Sequence, residues 1–273
     1  MKGPGIRTFL RRGDRTVLVT YPGLRLGNYL YFALHANSEQ QRGRDYRVVD
    51  SGLDPVWRTV FPSIESLVVD VDDVRFRDRR EHIPACFYQA YGHDFSHAEL
   101  EAFIRAYLLP HVSVPDAPRT ADGGAVTVNV RRGDYYSDPG FRQNFGFDLE
   151  TYLAQALSEV EAARPITAIT VVSDEPEWCV RALGEVMAGR PWEIRPQPAG
   201  DPVQDFLTVA RSARLVITNS TFSYWAAYVS KVLHGDRQLG VWAPDFHSRA
   251  MNGGRPWQHD PGWHAVDVAT SPL

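Results

Sequence analysis

Residues 166–188, ITAITVVSDEPEWCVRALGEVMA, contain the pattern that decides the fold. The apolar, β-branched run Ile166–Val172 predicts a strand, and apolar residues at helical spacing predict a helix over Glu175–Ala188. Only Ser173 and Asp174 separate the two. A strand that passes so directly into a helix is typical of one unit of a parallel α/β sheet.

More units of the same kind surround this one in the second half of the chain. They are the predicted strands Ala125–Val130, Trp192–Arg195, Leu215–Thr218 and Leu239–Ala243, and the predicted helices Phe147–Ala162, Pro202–Ala213 and Thr221–Leu233. Strands that alternate with helices along the chain predict a parallel sheet with helices on both of its faces.

The first half opens with a similar unit. Thr16–Thr20 predicts a strand, a helix is expected from Asn28 to the polar stretch beginning at Glu39, and Tyr46–Val49 predicts a second strand. The stretch Asp50–Arg80, which Pro55 and Pro62 interrupt, is expected to be irregular apart from a short strand near Ser66–Val71.

A strong helix signal ends the first half. Residues 95–110 begin with Ser96 followed by Glu99, which is the spacing of a capping box, and Pro110 is expected to end the helix. Residues 112–124 are polar and rich in helix breakers, so they predict a linker.

The pattern therefore predicts an α/β protein of two Rossmann-like halves with parallel sheets, residues 1–121 and residues 122–273. A chain of 273 residues with 44% apolar and 23% charged residues has the composition of a globular protein, which excludes disorder and coiled coil. Its net charge of −4 argues against a dedicated nucleic-acid binder.

Sequence features also predict where the protein resides. There is no apolar run of membrane-spanning length and no apolar signal-peptide core near Met1, so we expect no membrane span and a cytoplasmic protein. Cys86 and Cys179 are too few for a disulfide framework and fit no zinc motif, which favours two free thiols in a reducing compartment.

Ligands of parallel α/β folds bind beyond the carboxyl ends of the strands. After Ala125–Val130 come Arg131, Arg132, Gly133 and Asp134. Two guanidinium groups in such a turn are suited to phosphate oxygens, and a glycine lets the backbone approach a ligand. The same four residue types at 11–14 precede a strand instead, so a solvated turn is expected there.

A second polar turn follows Leu215–Thr218, where Asn219, Ser220 and Thr221 precede a predicted helix. Ser220 or Thr221 is suited to cap this helix, and the free N–H groups of a helix start attract anions. Further candidates are Ser173-Asp174-Glu175 after the next predicted strand and Gly27-Asn28 in the first half, each also open to a purely structural interpretation as a helix start or a tight turn.

Four segments together resemble one family. NVRRGDYY at 129–136 resembles the H-x-R-R-G-D-Y motif of the inverting α-1,2-fucosyltransferases. ITNSTFSYWAAY at 217–228, VVSDEPEWC at 171–179 and RLGNYLYFALHA at 25–36 are similar to three further motifs of that family, in the order in which the family has them.

This resemblance implies a GT-B-like architecture, a GDP-sugar donor held mainly by the second half, and the acceptor on the side of the first half. It implies inversion at the anomeric carbon, a small-molecule or glycan acceptor, and no required metal. The catalytic residues implied are Arg131 and Arg132 on the diphosphate, with Asp134 orienting them. The donor-binding residues implied are Gly27, Asn28, Asn129, Tyr135, Ser173, Asp174, Glu175, Asp205, Asn219, Ser220, Thr221, Phe222 and Ser223.

Within that set, Asp174 or Asp205 would accept hydrogen bonds from guanine. The sequence departs from the family at Asn129, where the family has histidine, and at Tyr29, where it has glutamine. Since asparagine takes up no proton, the acceptor-activating base stays open, with Glu175 and Asp134 as candidates.

Two other functions stay open for the same reason. One is a GDP-sugar pyranose–furanose mutase that uses the same diphosphate pocket, for which a divalent metal would be plausible. The other is a protein that binds a GDP-sugar without catalysis.

Overall fold

The computed structural model describes residues 15–112, 123–186 and 188–268. Its first half contains a parallel sheet of four strands in the order β3-β2-β1-β4. The elements are β1 Thr16–Val19, α1 Leu26–Gln41, β2 Tyr46–Asp50, α2 Pro55–Val60, β3 Val68–Asp70, β4 Arg79–His82, α3 His97–Phe103 and α4 Leu109–Val112.

The second half contains a parallel sheet of six strands in the order β7-β6-β5-β8-β9-β10. The elements are β5 Ala125–Val130, α5 Gly133–Ser137, α6 Pro139–Phe145, α7 Leu149–Ala163, β6 Ala168–Ser173, α8 Pro176–Val186, β7 Glu193–Pro196, α9 Pro202–Ala210, β8 Arg214–Ile217, α10 Thr221–His234, β9 Gly240–Pro244 and β10 His264–Val266.

The strand order places the ligand crevice of each sheet. In the second sheet, β5 pairs with β6 on one side and with β8 on the other. The chain continues from β5 toward one edge of the sheet and from β8 toward the opposite edge. In the first sheet, β1 has β2 and β4 as its neighbours in the same way. Such switch points open a crevice at the carboxyl ends of the strands. The two Rossmann-like parallel sheets predicted from the sequence are therefore confirmed.

The stretch Asp50–Arg80 is more regular than expected. It contains α2, which Asp54 caps by accepting a hydrogen bond from the Val56 N–H, and it contains the edge strand β4. Because Arg79–His82 has no apolar residue, its pairing with β1 rests on the backbone alone, and the sequence gives no strand signal there.

Pro110 does not end the helix that begins beyond Ser96, so this prediction is wrong. The capping box of Ser96 and Glu99 is present, but the helix widens into a π-turn over Ile104–Leu108 and continues to Val112. The Leu109 N–H donates to the Ile104 carbonyl, five residues back. This wider turn accommodates a proline ring in place of the usual hydrogen bond. The expected domain boundary at 121/122, most of the linker and the turn at 11–14 lie outside the described residues.

The two halves share a hydrophobic core. Trp57 of α2 packs against Phe206 of α9 and Phe222 of α10, with ring centroids 6.0 and 6.4 Å away. Tyr31 of α1 packs edge-on against Trp225 of α10 at 5.0 Å. Each of these contacts joins a helix of the first half to a helix of the second.

The C-terminal segment also returns to the first half. The Tyr91 N–H donates to the Trp257 carbonyl at 2.8 Å, and the neighbouring Gln258 is completely buried. Among the helices of the described residues, none has the length and apolar character needed to cross a membrane.

Candidate active site

A cavity of about 730 Å³ lies between the carboxyl ends of the two sheets. Loops after β1 and β2 and the start of α1 line it from the first half. The ends of β5 and β6 and the starts of α9 and α10 line it from the second half. The charged residues in its lining are Arg25, Asp54, Arg131, Asp134, Asp174 and Asp205.

Arg131 lines this cavity because it directly follows β5, the strand that lies between β6 and β8. Its backbone N–H donates to Thr218 Oγ1 at 2.9 Å. Its guanidinium contacts Asp134 at 2.8 Å and Asp174 at 2.9 Å, and about a quarter of the side chain is exposed. Two carboxylates therefore hold the guanidinium in one orientation while it stays accessible to a ligand.

Arg132 does not line the cavity, which departs from the role expected for it. Its guanidinium pairs with Glu175 and lies over the rings of Trp178 and Tyr136, 4.7 and 5.2 Å from their centroids. Its backbone N–H donates to Asp174 at 2.9 Å. Arg132 and Glu175 thus stabilise the turn that presents Arg131, and Glu175 is not placed to act as a base on a ligand in the cavity.

Helix α10 begins in the cavity with free N–H groups. Ser220 occupies the N-cap position, but its side chain makes no capping hydrogen bond. The capping role expected of Ser220 or Thr221 is therefore wrong. Both residues line the cavity, and the uncapped helix start leaves donors and partial positive charge available to an anion.

Asn129 and Ser223 are occupied with each other beneath this helix start. The Ser223 hydroxyl donates to Asn129 Oδ1 at 2.6 Å, and Asn129 Nδ2 donates to the Val172 carbonyl at 3.0 Å. Asn129 therefore ties β5 to β6 and to α10 at the position where the family has histidine. Both residues line the floor of the cavity.

Asn219 does not line the cavity, contrary to its expected donor contact. Its amide nitrogen donates to the carbonyls of Phe145 and His247, each at 2.8 Å, and the residue is buried. Through these two hydrogen bonds, Asn219 holds the end of α6 and the loop after β9 against the end of β8.

Gly27 has a packing role at the edge of the cavity. A Cβ atom at this position would lie 2.6 Å from the Phe222 nitrogen and 2.6 Å from the Thr221 carbonyl carbon. Only glycine lets the first turn of α1 approach the first turn of α10 so closely. The starts of both helices consequently meet at the cavity.

The side chain of Asn28 is oriented by a chain of buried amides. Gln258 Nε2 donates to Gln89 Oε1 at 2.8 Å, and Gln89 Nε2 donates to Asn28 Oδ1 at 3.0 Å. This hydrogen bond orients the side-chain amide of Asn28, which lines the cavity. The sequence gives no sign of this chain, since Gln89 and Gln258 are 169 residues apart.

Asp205 forms an acidic end of the cavity with Asp174 and the buried Ser173. Burial raises the pKa of Asp205 to about 6, although a hydrogen bond from Gln197 Nε2 at 2.7 Å works in the opposite direction. The nearby Asp201 and Asp174 carboxylates also raise this pKa.

An aromatic wall forms another part of the lining. Tyr135, Phe141 and Phe145 stack on one another, with the Tyr135 ring 4.5 Å from Phe145 and 6.4 Å from Phe141. Burial raises the pKa of Tyr135 to about 12. Sequence reasoning missed Phe141 and Phe145 because it missed α6, although Asp138-Pro139 is a helix-start signal and two phenylalanines four residues apart share a helix face.

The structure thus brings most of the predicted residues together. Those that line the cavity are Gly27, Asn28, Asn129, Arg131, Asp134, Tyr135, Ser173, Asp174, Asp205, Ser220, Thr221, Phe222 and Ser223. Phe222 also packs in the core shared by the two halves. Within the described residues, no three or more His, Cys, Asp or Glu side chains are grouped as metal ligands, and Cys86 and Cys179 are free thiols.

Comparisons with known proteins bear on this site and fold. A sequence model of the protein family described as Glycosyl transferase family 11 matches residues 87–234. Galactoside alpha-(1,2)-fucosyltransferase 1 of Leontocebus fuscicollis is 30% identical over 143 residues, which cover 50% of this chain and 36% of that protein. The protein of the same name from Sus scrofa is 29% identical over 143 residues, with the same coverage. The chain thus spans about a third of the length of these curated relatives.

A solved structure resembles the whole chain. E. coli heptosyltransferase WaaC with ADP has a TM-score of 0.50 at 13% identity, covering 95% of this chain and 96% of that chain. At this identity the likeness concerns the fold alone, and it confirms the GT-B-like architecture of two Rossmann-like halves.

Proposed function

Since this chain belongs to glycosyl transferase family 11, we propose that it transfers fucose or a related sugar from a GDP-sugar to a hydroxyl group of a small-molecule or glycan acceptor, with inversion. Relatives that match half of this chain are named as fucosyltransferases. The observation that carries the proposal is that two carboxylates fix the Arg131 guanidinium in a cavity that the uncapped start of α10 also lines.

Arg131 and the start of α10 would hold the diphosphate of the donor. In a direct displacement, the acceptor oxygen forms a bond to the anomeric carbon while the bond from that carbon to the phosphate oxygen breaks. The electron pair leaves on GDP, and the acceptor proton passes to a base. A preoriented guanidinium stabilises the charge that builds on the leaving group, and its loss costs about 10²-fold in rate.

The acidic end of the cavity supports guanine as the base of the donor. Guanine carries N–H donors at N1 and at the exocyclic N2, and one carboxylate accepts both. Asp205, half-buried at this end and oriented by Gln197, is suited to that role. Asp174 is occupied by Arg131 and by the backbone of Arg132, so we assign it to orienting Arg131.

Asp134 is the proposed acceptor for the proton that leaves the hydroxyl group. It lines the cavity next to Arg131, whereas Glu175, the other candidate, is paired with Arg132 outside the lining. We further propose that transfer requires no metal ion. The mutase function has no specific observation in its favour, since the relatives are named as transferases.

A thermal-shift titration with GDP, UDP and dTDP tests the proposal. Ligand binding to the folded state raises the melting temperature with ligand concentration. We expect GDP to stabilise the protein most, Arg131→Ala to remove most of that shift, and Arg190→Ala to preserve it. Arg190 stacks on Trp192 outside the cavity and is the matched control.

Stabilisation by UDP or dTDP instead of GDP would refute the donor assignment. With GDP-fucose and no acceptor, a transferase yields at most slow hydrolysis to GDP. A new GDP-sugar isomer would identify a mutase. Donor binding with neither transfer, hydrolysis nor isomerisation over a panel of acceptors would identify a binding protein.

A further inference from the structure

We propose that Gln258 is a positioning residue of the donor site, which acts through Gln89 to fix the orientation of the Asn28 amide and so raises the affinity for the nucleotide. Gln258 lies in the C-terminal segment 255–263, and neither it nor Gln89 lines the cavity. This inference rests on the proposed function, because it assumes that the cavity binds the GDP part of the donor. It makes the C-terminal segment a part of the donor site that does not touch the donor.

The chain of buried amides has a direction. Gln258 Nε2 donates to Gln89 Oε1 at 2.8 Å, and Gln89 Nε2 donates to Asn28 Oδ1 at 3.0 Å. A side-chain amide has donors at one end and an acceptor at the other, so half a turn of one amide would set donor against donor or acceptor against acceptor. The donor from Gln258 therefore holds Gln89 with its NH₂ group toward Asn28.

The backbone around Gln258 is held by residues of both halves. The Tyr91 N–H donates to the Trp257 carbonyl at 2.8 Å, and the Tyr91 hydroxyl donates to Asp260 at 3.2 Å. On the other side, the Tyr228 hydroxyl of α10 donates to the Gln258 carbonyl. Gln258 is completely buried between these contacts, so its side chain starts from a fixed position.

The turn before Gln89 has a strained backbone. Phe87 and Tyr88 both have a φ of 55°, in the left-handed region that bulky residues rarely adopt. Their rings stack on α1, with Tyr88 3.7 Å from His35 and Phe87 6.1 Å from Phe32. The turn thus directs the buried Gln89 side chain toward the start of the same helix. Strain that the surrounding contacts impose is typical of residues that shape a functional site.

Stability alone does not explain a glutamine at position 258. Its Oε1 atom is buried and has no hydrogen-bond partner among the residues that the structure describes. A buried acceptor without a partner lowers the stability of a fold, and an apolar side chain of similar size would not carry this cost. The hydrogen bond that the side chain does make is directed at Gln89. Gln258 is therefore suited to orient Gln89 rather than to stabilise its own segment.

Isothermal titration with GDP, together with calorimetric melting, tests this role. Gln258→Met removes the donor to Gln89 and also the buried unpaired oxygen, so the melting temperature should change little. GDP binding should weaken by about three- to tenfold, because the Asn28 amide loses its fixed orientation. In the Asn28→Ala background, the same substitution should leave GDP binding unchanged. Gln238→Met is the matched control and should bind GDP like the wild type, since Gln238 donates to Ser230 away from the cavity lining.

The outcomes separate this inference from the proposed function. If the wild type binds GDP but Gln258→Met binds it as tightly as Gln238→Met does, the positioning role is refuted and the proposed function stands. An equal loss in the Asn28→Ala background would also refute it, because a purely structural role does not depend on Asn28. Gln258→Leu is a second apolar replacement, and if neither variant folds, Gln258 is a structural residue and the inference fails. If the wild type does not bind GDP, the proposed function itself fails.

Discussion

The close approach of α1 and α10 makes Gly27→Ala the most informative single substitution. The new Cβ would lie 2.6 Å from two backbone atoms of α10, whereas ordinary van der Waals contact begins at about 3.4 Å. Because both are backbone atoms, no rotation of a side chain can relieve the contact. The two helix starts must therefore separate by nearly the missing distance, at the place where we expect the diphosphate to bind.

This displacement should lower both the stability of the protein and its activity. Overpacking of this kind costs about 1–3 kcal/mol of unfolding free energy, which corresponds to a melting temperature lowered by about 2–10 °C in a chain of this size. A reacting group displaced by nearly 1 Å loses up to about 10²-fold in kcat/KM. The loss of activity should thus be larger than the loss of stability would explain.

Differential scanning calorimetry and a GDP titration measure both effects. The matched control is Gly184→Ala in α8, where a Cβ meets nothing within 4 Å. Because alanine favours a helix more than glycine does, this control should be neutral or more stable by up to about 1 kcal/mol. If Gly27→Ala melts and binds GDP like the wild type, the helix starts do not form the diphosphate site in the way that we describe.

Three further predictions concern other parts of the cavity. The pKa of Asp205, about 6 in the folded chain, lies above its usual range, so this carboxyl group ionises at lower pH in the unfolded chain and its ionisation destabilises the fold. Asp205→Asn should therefore increase the free energy of unfolding at about pH 8 by about 1 kcal/mol after allowance for solvent screening, which raises the melting temperature, and should leave both unchanged below about pH 4. Gln89→Met should weaken GDP binding in the wild type but not in the Asn28→Ala background, because Gln89 acts through Asn28; equal effects in both backgrounds would make it a merely structural residue. Chelation with EDTA should leave transfer unchanged, and a loss of activity that magnesium restores would contradict the metal-free proposal.

Local signals in the sequence explain why most of the predicted site residues line one cavity. Arg131 and Thr221 each follow a buried strand whose apolar run is easy to recognise, and the sheet brings the carboxyl ends of those strands together. The direction in which a side chain points is harder to predict from the sequence. Arg132 and Asn219 belong to the same turns but face away from the cavity, because Glu175 and two carbonyl groups distant in sequence hold them there.

The aromatic wall and the loop after β1 were the hardest parts of the cavity lining to predict. Phe141 lies on a single short helix, and Tyr21 lies in a loop whose position depends on the other half of the molecule. No periodic pattern marks either residue as part of a site. Both become visible only when the two halves are assembled around one cavity.

The core that joins α1 and α2 to α9 and α10 has a consequence for unfolding and for turnover. Since each half completes the other's interior through Trp57, Phe206 and Trp225, neither half has a finished interior when it stands alone. Heating should therefore produce a single calorimetric transition, with the halves melting as one cooperative unit. For the same reason we expect a ligand to enter the cavity through small loop displacements at its mouth rather than through a swing of the two halves.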